Sequence, residues 1–153
     1  MRAAATILIG IALAAAASGC SSDERVAPER STTVERLGAL CETARADVEA
    51  LGLPAEVGYK VIEPWAARGL ALAAAIRKLE GTTDEERQLT ALADELGEYY
   101  RGLQLGFAVY DKTKSSEVYA ASVNRAEVFL EAAEKRALAL GADECAVRPF
   151  PDR

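Results

Sequence analysis

Between Asp84 and Lys112 the sequence keeps one apolar stripe, and no other feature limits so strongly what the chain can fold into. Leu89, Leu92, Leu96, Tyr99, Leu103, Phe107 and Tyr110 recur at steps of three and four, the period of one buried face on an α-helix. At ~1.5 Å per residue, about 30 residues make a rod of roughly 45 Å. A rod with a single apolar side has to lie against other elements along its length. The stripe is heptad-like as far as Leu103 and then shifts by one position. Ahead of it, Thr82-Thr83-Asp84-Glu85-Glu86 offers two possible capping boxes and an acidic first turn that suits the helix dipole.

The flanking segments repeat this period. Val34, Leu37, Cys41, Ala44, Val48 and Leu51 mark a first helix, with Thr32 as its cap, Glu35 completing a capping box, and Gly52-Leu53-Pro54 as its end. Arg45 and Glu49 are spaced to pair on its solvated face. A second helix can begin at Pro54 and carries Ile62, Trp65, Leu72, Ile76 and Leu79, with Gly69 in register, as far as Gly81. Pro64 removes a backbone donor inside it, which predicts a kink. After a turn at Asp111 to Ser116, the stripe Tyr119, Val123, Ala126, Leu130, Ala133, Ala137 and Leu140 predicts a fourth helix with Gly141 at its C-terminal cap. Glu131 and Lys135 are spaced for a surface pair. Nothing alternates as a strand would. The expected fold is all-α, an antiparallel four-helix up-down bundle over residues 32–141 with its second helix kinked near Pro64, followed by a tail at 142–153.

The first residues have a different character. Arg2 is a minimal positive start, Ala3 to Ala17 is apolar except for Thr6 and Gly10, and Ser18-Gly19 precede Cys20. These are the parts of a secretory signal, and the apolar run falls short of the ~20 residues a membrane-spanning helix needs. Ala17-Ser18-Gly19-Cys20 resembles the lipobox of bacterial lipoproteins, although that family most often has Leu where this chain has Ala17. The resemblance covers about the first twenty residues. It implies a signal peptide at 1–19, a lipid such as palmitate on Cys20, and a mature protein held on the extracytoplasmic face of the cell membrane. Ser21 to Ser31 is polar, contains Pro28 and reads as a tether, holding the domain on the order of 20 Å from the bilayer. Cys41 together with Leu140-Gly141-x-x-x-Cys145 is similar to small secreted lipoproteins of high-GC Gram-positive bacteria, a likeness too general to carry a function.

Charge and cysteine content narrow the classes further. The chain carries 24 Asp and Glu against 18 Lys and Arg, a net charge of -6. Loss of the leader removes one basic residue and makes the remainder more acidic still. Such a chain is poorly suited to bind nucleic acid or an anionic surface by charge, so the expected attachment to the membrane is the lipid on Cys20. There is no His, which excludes Ser-His and Cys-His catalytic pairs, haem ligation by His and HExxH zinc sites. No cofactor or metal is expected. With Cys20 acylated, Cys41 and Cys145 remain as a pair in an oxidising compartment, where a disulfide is the default. If the fourth helix returns antiparallel to the first, Cys41 lies about 10 Å beyond the level of Leu140. Gly141 to Glu144 span roughly 13 Å when extended and can bring Cys145 back to it.

Within the long helix, Gly102-Leu103-Gln104-Leu105-Gly106 puts two glycines on one face. Tyr99, Tyr100, Arg101 and Gln104 mark this helix as soluble rather than membrane-embedded. The glycines serve either the close approach of a neighbouring helix or a groove, whose candidate residues are Trp65, Tyr99, Gly102, Gly106, Phe107 and Tyr110. Asp94, Glu98, Glu131 and Glu134 supply carboxylates on faces that also suit plain solvation, so no enzyme is expected. The function read from the sequence is a non-catalytic interaction module at the cell envelope, with an envelope protein or polymer as partner. The alternative is a small-ligand carrier or sensor using an inter-helix pocket. A continuous core with an exposed apolar patch would favour the first, and a large internal cavity the second.

Overall fold

Four α-helices share one hydrophobic core in the structure, a computed structural model that describes residues 31–51 and 59–146. They are α1 (Thr32–Ala50), α2 (Tyr59–Ile76), α3 (Thr83–Thr113) and α4 (Ser116–Leu140), followed by a short 3-10 turn at Asp143–Cys145. Among the described residues there is no strand, and no helix is long and apolar enough to cross a membrane. The expected signal peptide, Cys20, the tether before Ser31, a start of the second helix at Pro54 and the tail beyond Ala146 all lie outside the described residues.

The helix ends follow local chemistry, with three differences from the sequence reading. Ser31, not Thr32, caps α1: its hydroxyl accepts from the Val34 amide at 3.3 Å. Val34 occupies the position that a capping-box Glu would need, so Glu35 closes no box. At the same end of the core, α2 stops at Ile76 rather than Gly81. Lys78 and Leu79 donate three residues back, to Ala75 and Ile76, at 3.1 and 3.0 Å, and this tighter turn swings Leu79 into the core. The expected pairs Arg45–Glu49 and Glu131–Lys135 do not form, and Asp47 on α1 instead lies 3.6 Å from Arg68 on α2. At α3 one of the two possible capping boxes is realised, Thr82 with Glu85. α2 runs through Pro64 without interruption.

α3 is the central element, packing on α2 along one side and on α4 along another. Its stripe is buried from Leu89 to Phe107, and Tyr110 at its end is half-buried. Contacts across α3 and α4 run in opposite order along the two helices, Gly102 meeting Ala126 and Gly106 meeting Ser122. Arg136 locks this pair from α4, its Nε and Nη2 donating to both Glu95 oxygens at 2.8 and 2.6 Å and Nη1 to Gln88 at 2.7 Å. A bidentate pair of this geometry outweighs an ordinary surface ion pair. It also holds the guanidinium proton more tightly than usual, through the hydrogen bond to Glu95.

Between α2 and α3 the order is reversed in the same way, Arg77 pairing with Asp94 and Gly69 meeting Tyr100. Tyr100, outside the stripe read from the sequence, is buried across Gly69 and edge-on to Tyr99 at 4.9 Å. Burial pushes its phenol up to about 12.

α1 packs on α2 and on the C-terminal 3-10 turn. Val34, Leu37 and Cys41 are buried, Ala44 and Val48 half-buried and Leu51 exposed. The apolar stripe is therefore longer than the core that α1 reaches. At the end of α4, Gly141 adopts φ 77°, with Gly141 donating to Leu138 and Ala142 to Ala137, a Schellman turn that folds the chain back. The turn buries Ala142 completely and sets Glu144 against Gly38. It also brings Cys145 to Cys41, and the two are joined by a disulfide with a Cα separation of 5.2 Å.

Three outcomes follow from this packing. A Cβ at Gly69 would sit 2.2 Å from Tyr100 ring atoms, so Gly69→Ala should cost about 1–3 kcal/mol in urea denaturation. The raised Tyr100 pKa means the neutral phenol stabilises the fold fully below pH 10, its ordinary value, and this contribution is lost as pH rises through about 12. Stability measured from pH 9 to 11.5 should therefore fall more steeply in the parent chain than in Tyr100→Phe. The disulfide closes a loop with a sequence separation of 104, and Cys145→Ala should cost about 2–4 kcal/mol. Peptide mapping under non-reducing conditions should recover the linked peptides, and recovery of both cysteines as alkylatable thiols would refute the bridge.

Candidate functional site

The six groove candidates occupy three environments. Trp65, Tyr99 and Phe107 are buried in the core. Gly102 and Gly106 lie under α4, where an added Cβ would come within 2.9 Å of Ala126 Cβ and 2.8 Å of Ser122 Cβ. Tyr110 is half-buried beside Tyr119, with ring centres 5.6 Å apart, and Phe107 meets the same ring edge-on at 4.8 Å. The structure thus brings Phe107 and Tyr110 together through Tyr119, and the two glycines together with small residues of α4. Phe107 and Tyr110 thus both pack on the Tyr119 ring.

Open space does occur where the glycines draw the helices together, on the outer side of the α3–α4 pair. There a shallow cleft of about 440 Å³ runs between Glu98, Arg101, Gly102 and Leu105 on α3 and Val118, Ala121, Ser122, Arg125, Ala126 and Phe129 on α4. Its origin is steric. Where both helices carry small residues their backbones approach closely, and the larger side chains of the neighbouring rows, Arg101 and Leu105 on one helix and Val118 and Arg125 on the other, stand up as ridges beside the half-buried Phe129. Gly102 is the groove candidate that lines this cleft.

The cleft is apolar with a cationic rim. Leu105 is 65% exposed and Val118 41% exposed, both large apolar side chains presented to water at its mouth. Val128 follows on α4 at 64%. Arg101 pairs with Glu98 at 2.6 Å and lies over Gly97. Arg125 makes no ion pair among the described residues. The lining therefore carries one net positive charge in a chain whose net charge is -6.

Sequence reasoning centred on the core stripes did not pick out Leu105, Val118, Arg125 or Phe129. Their signal was present as a second row on each helix: Glu98, Arg101, Leu105 and Ala108 on α3, and Val118, Ala121, Arg125 and Phe129 on α4. Each row is spaced at three and four, one or two positions away from the buried stripe.

Of the carboxylates weighed for catalysis, Asp94 pairs with Arg77 and Glu98 with Arg101. Among the described residues no group of three or more Cys, Asp or Glu is placed to hold a metal ion. Comparison of the chain with family models, curated proteins and solved structures gives no match.

Proposed function

We propose that the chain is a lipid-anchored, extracytoplasmic interaction module of the cell envelope, non-catalytic, held to the membrane through Cys20 and binding its partner along the α3–α4 cleft. The observation that carries this reading is the pairing of one continuous core with an exposed apolar cleft on its surface. Burying such a patch is what a protein partner offers and what water does not. A small-ligand carrier is less well supported, because ligand pockets enclose most of their occupant and this cleft is only partly enclosed. The reversed order of contacts between successive helices supports an up-down-up-down course for the bundle, and Pro64 within α2 supports a kink at that point.

Ser31, the start of the described chain, and the cleft lie apart along α3. Ser31, where the tether joins, hydrogen-bonds Glu85 in the first turn of α3, whereas Arg101 lies four to five turns further along, about 24 Å away. An anchored molecule standing on its tether would present the cleft away from the bilayer.

The anchor is tested by replacing Cys20 with Ser, which should move the protein from the membrane fraction to the soluble extracytoplasmic fraction; unchanged partition would remove the lipoprotein reading. The module is tested in the same cells with a photo-crosslinking residue at position 105 or at position 42. Adducts to envelope components should form from 105 and not from 42, and equal or absent adducts would remove the cleft as the binding surface.

A further inference from the structure

We propose that the occupant of the α3–α4 cleft is an acidic amphipathic helix of a partner protein, one whose apolar residues flank a carboxylate. The inference rests on the reading of the cleft as a docking surface and adds the chemistry of what docks there.

The arrangement of charge along the cleft selects the occupant. Gly102 meets Ala126 and Gly106 meets Ser122, so residue numbers on the two helices sum to a near-constant value at each level. By that register Arg101 and Arg125 stand on opposite walls at almost the same height, within about one residue's rise or two. Leu105, Val118 and Ala121 lie on the side of this pair toward the α3–α4 turn, and Phe129 on the other side. The cleft therefore reads apolar, cationic, apolar over about 16 Å, the length of three helical turns, with Arg125 unpaired and Arg101 held to Glu98 in the cationic step.

A helix with an apolar residue, a carboxylate one turn later and an apolar residue after another turn matches that order with one face. Its carboxylate would meet Arg125, which has no ion pair among the described residues. It would also meet the free donors of Arg101, whose guanidinium offers five N–H groups and gives few of them to Glu98. A helix also supplies its own cover over the open cleft, which a fatty acid with the same carboxylate could not do. The chain is acidic overall, so its net charge disfavours an acidic partner where no local cation offsets it. That repulsion turns a modest patch into a selective one.

The test uses the purified chain and two synthetic helical peptides of about 18 residues with an identical Leu stripe, one carrying Glu between the Leu positions and the other Lys. Fluorescence anisotropy should show the Glu peptide binding about tenfold more tightly or better. Amide shift changes should centre on Leu105, Val118, Ala121 and Phe129. Arg125→Glu, an exposed change whose fold is checked by circular dichroism, should reverse the preference toward the Lys peptide. Val118→Gln should weaken both peptides equally. Equal affinity for the two peptides, preference for Lys in the parent chain, or no binding of either would overturn the proposal, whereas the reading of the cleft as a docking surface is judged separately by the crosslinks from position 105. Shift changes at the same residues with oleate or phosphatidylglycerol vesicles but not with the Glu peptide would also overturn it. So would self-association of the free chain through this face in sedimentation, since the occupant would then be a second copy.

Discussion

Close backbone approach at Gly102 and Gly106 governs the architecture around α3. Ala126 and Ser122 sit where side chains on those glycines would have to be, so the separation of α3 and α4 is fixed by four small residues rather than by interdigitating large ones. On the inner side this proximity presses Tyr99, Leu103 and Phe107 into the core against the α4 stripe. On the outer side it sets the next rows of side chains apart as the walls of the cleft. One steric condition therefore produces both the tight core and the open surface. Larger residues on the floor would widen the core spacing and fill the cleft together. α2 uses the same device from the opposite direction, with Gly69 accepting the Tyr100 ring.

The stripes of α2, α3 and α4 were legible in the sequence because burial along one helix face is a property of a single segment. Leu89 to Phe107 and Ala126 to Ala137 fall where the period puts them. What a single segment does not encode was harder to read. Tyr100 looks polar in a list of residues, and only the glycine on a different helix makes room for it. Ser31 and Thr32 are comparable caps in isolation, and Ser31 gains a second partner in Glu85, which is 54 residues away in the chain. The second half of α1 has an apolar stripe with too little for it to cover. The cleft residues required knowing how two helices are rotated against each other, which the spacing within either one leaves open.

The Ser31–Glu85 contact ties two helix starts into one polar cluster. Glu85 accepts from the Ser31 hydroxyl at 2.6 Å and from the Thr82 amide at 2.8 Å, while Ser31 in turn accepts from Val34. These hydrogen bonds, that from Ser31 first, hold the Glu85 carboxyl below its ordinary value of 4.5. Thr33 adds a hydrogen bond to the Glu80 carbonyl at 2.9 Å. Gly81 has to be small here, since a side chain would meet both Glu85 and Thr33. Each N-terminus thus has amides satisfied by its own cap, and the Ser31 hydroxyl joins the two caps through Glu85.

The Cys41–Cys145 bridge has a mechanical meaning. Load entering at Ser31 and leaving after Ala146 does not run through α2, α3 and α4, because the sulfur–sulfur bond shunts it past a stretch of sequence separation 104. Only the turns of α1 from Thr32 to Cys41 and the last residue or two of the described chain lie in series with the force. Stretching them from helix to extended chain adds on the order of 20 Å. A domain pulled by its two ends would yield that short extension and then go taut, with the walls of the cleft still standing inside the closed covalent loop.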